Sequence, residues 1–136
     1  MNLDIISQVI EDANLGVLGV SLFQHHMPEG CVNGILLRTP LNGIAIDHNL
    51  PGYFKGSLQA IVRSDSHELG DGLAASVSSA LTLSNRIFAS PNGSFLMKVN
   101  HLYPTNLPII YPRSPGNIFE WSINFDCNYV VDVNYR

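Results

Sequence analysis

The side chains in this 136-residue chain with the best types for chemistry are five histidines, two cysteines and a row of acids near the end. His25 and His26 are adjacent, which on an extended strand would aim them at opposite faces. His48, His67 and His101 stand alone, and no HxxxH, HExxH or Cys/His cluster with metal-ligand spacing occurs. Cys31 and Cys127 lack CxxC spacing and read as reduced thiols, Cys127 as a small buried hydrophobe. No serine sits on a Gly-x-Ser-x-Gly elbow, and Gly70 and Gly72 are followed by no Gly-Lys-Ser/Thr, so neither a hydrolase elbow nor a phosphate loop is present. Glu120, Asp126 and Asp132 share one face of a late strand. Six residues of strand separate neighbours by roughly 20 Å, too far for joint acid–base work. They read instead as a solvated face, or as an acidic, amide-rich lining that lets a polyanion slide past. No metal and no cofactor is expected.

Composition points to contact surfaces. Hydrophobic residues make up 46% and charged residues only 13%, about half the share of an ordinary soluble domain. Exposed apolar surface is usually occupied surface, so partners are expected to cover part of the exterior. The formal charge is −4 and the seven Lys and Arg residues are scattered singly. That spacing predicts no tight grip on a phosphate backbone. No apolar run approaches the ~18 residues of a membrane span, and the acidic N-terminus argues against a secretory leader, so a soluble cytoplasmic product is expected.

The elements that must position these residues are legible as patterns. Leu3, Ile6, Val9, Ile10 and Ala13 follow helical spacing, with Asn2 able to cap and Gly16 available past the end. Strands are expected at about 18–26, 34–39, 43–47, 54–63, 86–90 and 95–103. Asn33-Gly34, Asn42-Gly43 and Asn92-Gly93 are candidate tight turns. Between 54 and 63, Phe54, Gly56, Leu58, Ala60 and Val62 share one face, with the apolar Ile61 on the other. Asp65 and Glu68 form a variant capping box that opens a helix with an apolar stripe of Leu69, Leu73, Val77, Ala80 and Leu81. Between these stand mostly Gly, Ala and Ser, which suits close approach of another backbone. Gly70, Ala74 and Ser78 are therefore candidate assembly contacts. Four prolines make 104–117 an irregular arm or loop. The last stretch alternates cleanly, with Phe119, Trp121, Ile123, Phe125, Cys127, Tyr129, Val131, Val133 and Tyr135 on one face. Tyr111 and Trp121 are candidate core or interface anchors.

These patterns sum to one α+β domain over residues 1–136: a mostly antiparallel sheet, a short N-terminal helix, and one longer helix packed on the sheet. Ile35-Leu36-Leu37-Arg38-Thr39-Pro40-Leu41-Asn42-Gly43, then Asp47-His48-Asn49-Leu50-Pro51-Gly52-Tyr53, then the strand to Arg63 and the small-residue helix, follow an order that resembles tail-terminator or tail-completion proteins of tailed bacteriophages, often labelled minor capsid proteins. The resemblance implies a structural virion protein and not an enzyme. It implies a homo-oligomeric ring, commonly a hexamer, that caps the tail tube, meets the neck or head-completion protein, and lets DNA through without sequence-specific binding. Another neck or tail-tube ring component is the near alternative. A small hydrolase or ligand-binding domain, resting on the histidines and tyrosines, is the alternative of a different class.

Overall fold

The computed structural model describes residues 3–39, 45–46, 48–89, 95–113 and 118–131. In chain order the elements are α1 (Leu3–Asp12), β1 (Leu22–Gln24), β2 (Gly34–Arg38), β3 (Ala45–Ile46), β4 (Tyr53–Ser64), α2 (His67–Ala80), β5 (Leu83–Ala89), β6 (Phe95–Pro104), β7 (Ile109–Arg113) and β8 (Ile118–Val131). The fold is α+β, with two helices and an eight-stranded, mostly antiparallel sheet among the described residues.

Two long strands form the spine of the sheet. β4 pairs antiparallel with β8 over twelve residues without a register shift, from Tyr53↔Val130 to Ser64↔Phe119. Each is flanked by a strand line that breaks once. On the β4 side, β2 pairs with 59–63 and β3 with 54–55. On the β8 side, β6 pairs with 125–131 and β7 with 118–122. β5 extends the sheet beyond β6, and β1 joins β2 in parallel at the opposite margin. The entry to β4 is a Leu50-Pro51-Gly52-Tyr53 turn closed by a bond from the Tyr53 N–H to the Leu50 carbonyl, 3.1 Å. Its Gly52 has φ +79°, the geometry a type II turn requires after proline.

Alternation along β4 and β8 sorts the side chains as the sequence predicts. Leu58, Ala60, Val62, Trp121, Ile123, Phe125, Cys127 and Tyr129 lie on the face covered by both helices, in one core with Ile6, Ile10, Val77 and Leu81. α1 is closed by Asn14 in the left-handed region (φ 58°), with Asn14 N–H bonded to Glu11 O and Leu15 N–H to Ile10 O. This is a Schellman closure, so Asn14 and not Gly16 ends the helix, and Leu15 packs back on the core.

Several expectations are corrected. The α2 cap is Ser66, whose hydroxyl accepts from the Leu69 N–H, and not Asp65. The buried stripe of α2 is Gly70, Ala74, Val77 and Leu81, with Leu73 half-buried, while Leu69 is 72% exposed. The physical reason is Trp121. A Cβ on Gly70 would lie 2.1 Å from the indole Cη2, so the ring occupies the space a side chain would need. The helix turns its glycine inward and its leucine outward. The Pro-rich segment 104–117 is not wholly irregular either: β7 lies within it, because β8 offers a free ladder edge there. Pro112 is tolerated since, among the described residues, β7 pairs only with β8. The expected strand 18–26 shrinks to three residues behind a tight turn at 17–22, and His25, at φ 67°, lies outside it. Asn33-Gly34 makes no hairpin, since β1 and β2 run parallel. Asn42-Gly43, Asn92-Gly93 and the Asn2 cap lie outside the described residues.

Gly70→Ala is expected to cost about 1–3 kcal/mol, because either the indole or the helix must shift in a packed core; urea unfolding with Trp121 fluorescence measures it. Burial also pushes the Cys127 thiol from 9.0 up to about 11 and the Tyr129 hydroxyl from 10.0 up to about 12. Below pH 9.0 folded and unfolded chains both keep the thiol proton, whereas from there to about 11 only the folded chain does. Stability should therefore be full at neutral pH and fall as pH rises through that window. A thiol reagent at neutral pH should label Cys31 and reach Cys127 only on unfolding.

Candidate functional site: the uncovered face of the sheet

With both helices on one face, the other face of the spine carries no helical layer among the described residues. Its residues are Tyr53, Lys55, Ser57, Gln59, Ile61 and Arg63 from β4, facing Val130, Asn128, Asp126, Asn124, Ser122 and Glu120 from β8. Polar side chains here satisfy one another laterally. Arg38 donates through Nε to Gln59 Oε1 at 2.5 Å, and Gln59 donates through Nε2 to Ser122 Oγ at 2.8 Å. Asn100 donates to Asn128 Oδ1 at 2.9 Å, and Asn128 donates to the Tyr53 hydroxyl. Such lateral bonding lets a sheet face stay half-buried with most of its polar groups satisfied; Arg63 Nε is buried there without a partner.

One corner is covered by the connection from β1 to β2. Arg63, buried there, donates through one terminal nitrogen to the carbonyls of Pro28 (3.2 Å) and Cys31 (3.0 Å) and through the other to Glu120 Oε2 (3.4 Å). Beside this corner lies a groove of about 300 Å³ lined by Arg38, Gln59, Ile61, Tyr111, Glu120 and Ser122. Ile61, the apolar residue that breaks the polar alternation of β4, lies in this lining.

The sequence-derived site residues are distributed as follows. Gly70 and Ala74 are buried against the sheet, and Trp121 is fully buried with its Nε1 donating to Asp71 Oδ1 at 3.2 Å. These three spend their close packing inside the subunit and offer no contact surface. Ser78 is half-buried, and its carbonyl accepts from the Thr82 hydroxyl. Tyr111 is exposed and lines the groove. Glu120 and Asp126 are on the uncovered face as expected, and Asp132 lies outside the described residues. The face is amide-rich but not acidic. Arg38, Lys55, Arg63 and Lys98 also stand on it by register.

Charge is instead separated across the two layers. α1 carries Asp4, Glu11 and Asp12, and α2 carries Glu68 and Asp71 with Asp65 just before it; neither helix contains a Lys or Arg. The sequence reading missed this, since four of the scattered cations gather on one face only once strand parity is known, while Arg86, opposite Val99, falls on the helix-covered side at the β5 edge.

Catalytic groupings are thin. Register sets Ser84 opposite His101, and His101 Nε2 stands 3.6 Å from Asp126 Oδ2. The Ser84 hydroxyl bonds Tyr103, however, and His101 stacks on the Tyr103 ring, so the three residues do not form a serine–histidine relay. Among the described residues no group of three or more His, Cys, Asp or Glu could hold a metal ion. Among the described residues no helix is long and apolar enough to cross a membrane.

A sheet backed by helices on one face, with its other face bonded sideways and grooved at one corner, defines a helix-backed α+β domain. The chain belongs to the bacteriophage tail terminator protein family, whose model matches residues 9–131. In fold it is similar to a chain in the virion of a native gene transfer agent particle, with a TM-score of 0.61 and 14% identity over 92% of this chain and 91% of that one. A search of the curated proteins finds no match by sequence. Membership of that family makes the protein a structural component of a bacteriophage-type tail.

Arg63→Leu should cost about 2–3 kcal/mol, since it strips a charged donor from two carbonyls and from Glu120. Faster hydrogen exchange at the Cys31 amide, which bonds the Pro28 carbonyl, should accompany it.

Proposed function

We propose that the protein forms a ring, sixfold by analogy with the resemblance above, at the head-proximal end of the tail. There it ends polymerisation of the tail tube and presents its other side to the neck or head-completion protein. DNA passes through the ring without sequence-specific contact. The observation that carries this reading is the tail-terminator match over nearly the whole chain.

The surface supports it. Val17, Leu18 and Val20 are exposed beside β1, at one margin of the sheet. Leu107, Ile109, Ile110 and Tyr111 are exposed on and before β7, at the other margin. At that level the strand order runs β1-β2-β4-β8-β7, so about four inter-strand spacings of ~4.8 Å separate the two apolar patches. Both patches are exposed apolar surface for neighbouring proteins of the assembly to cover. Cys127 is inert in the core and the histidines form no relay, which leaves the hydrolase alternative without support from geometry.

Particles made without this protein should carry tails of uncontrolled length or unjoined heads and tails, visible by negative-stain microscopy, and adding the purified chain should restore joining. Tails of normal length, joined to heads, in its absence would defeat the proposal.

A further inference from the structure

We propose that successive copies of this chain pack layer on layer, the outer face of α2 in one copy seated on the uncovered sheet face of the next. The inference rests on the ring reading above and names the surfaces that make the ring. The occupant of the groove is a second copy, with Leu69 entering beside Ile61 and Tyr111 and Glu68 meeting Arg38.

Charge selects this pairing. The helix layer carries acids and no Lys or Arg on either helix, while the sheet face carries Arg38, Lys55, Arg63 and Lys98 against Glu120 and Asp126 among the described residues. Arg63 and Glu120 are already paired with each other. Arg38 is exposed and engages Gln59 through Nε, so it is a cation at the groove that a carboxylate of the next copy can meet. Complementary potentials of this kind fix register and suppress wrong pairings.

Shape agrees with charge. Leu69 is the one large apolar side chain on the exposed side of α2, and nothing stands within 4 Å of where a Cβ on Gly72 would project. The groove offers an apolar lining of matching chemistry, with Ile61 half-buried and Tyr111 at 52% exposure. A leucine turned outward by the Gly70–Trp121 contact is thereby given a destination.

Charge exchange tests it on the full chain, with assembly read by analytical ultracentrifugation and by negative stain. Arg38→Glu alone and Glu68→Arg alone should each weaken self-association about tenfold or more, and the double exchange should recover to within about threefold of the original. Both positions are exposed, so far-UV circular dichroism should be unchanged. Leu69→Asp should abolish rings while leaving the fold intact. Rings that form equally well with either single exchange, or a double exchange no better than the singles, would overturn this docking and leave the ring reading standing. A wild-type chain that stays monomeric at high concentration and at tube ends would remove both.

Discussion

The indole of Trp121 fills the volume that a side chain on Gly70 would take, and the arrangement of the outer surface follows from that contact. A helix laid on a sheet can roll about its own axis; here only a roll that brings Gly70 down onto the ring allows close approach. That roll buries Ala74, Val77 and Leu81 in turn and exposes Glu68, Leu69 and Gly72. Asp71 is brought to the indole Nε1, so the buried donor of Trp121 is satisfied by the same geometry. A steric fact one atom wide thus decides which side of α2 meets the outside.

Behind this contact stands the β4–β8 ladder, whose unbroken register carries twelve residue pairs between the layers. Neither flanking strand line runs the full length. The β6–β7 break lies between Pro104 and Pro108, and the residues around it project apolar groups such as Leu107, 87% exposed. The centre of the sheet is therefore regular and the margins are irregular. Regularity supplies stability through one continuous core, while the broken margins supply distinctive apolar surface for partners. The uncovered face survives in water because its amides and hydroxyls bond sideways to one another, so it needs no covering layer to be satisfied.

Much of this was legible in the sequence because strand alternation is a strict code. Phe54 to Val62 and Trp121 to Tyr129 named the core face directly, and Ile61 stood out as the apolar exception that proves to lie in the groove. The Leu50-Pro51-Gly52-Tyr53 turn was equally readable, since proline and glycine each permit little else there. The α2 stripe was misread because a hydrophobicity pattern ranks leucine above glycine for burial, whereas a bulky partner on a distant strand reverses the order. β7 was missed because prolines argue against a strand, and only the position of β8, which leaves one edge free, makes an edge strand with Pro112 acceptable. The charge separation between layers was invisible for a different reason: Arg38, Lys55, Arg63 and Lys98 are far apart in the chain and come together only through register.

That separation constrains how copies can meet. Two helix layers facing each other would bring acids against acids, and two sheet faces would bring cations against cations; both like-sign arrangements are penalised when water is squeezed out. Helix layer on sheet face is the arrangement in which unlike charge, the outward leucine and the groove all agree. Such a contact uses two different surfaces of each subunit, so adding a copy always leaves one of each kind free. Growth then stops only when the last free sheet face meets the first free helix layer. A closed ring is the state in which neither surface remains uncovered, and a chain with few charges and a single core layer gains most from reaching it.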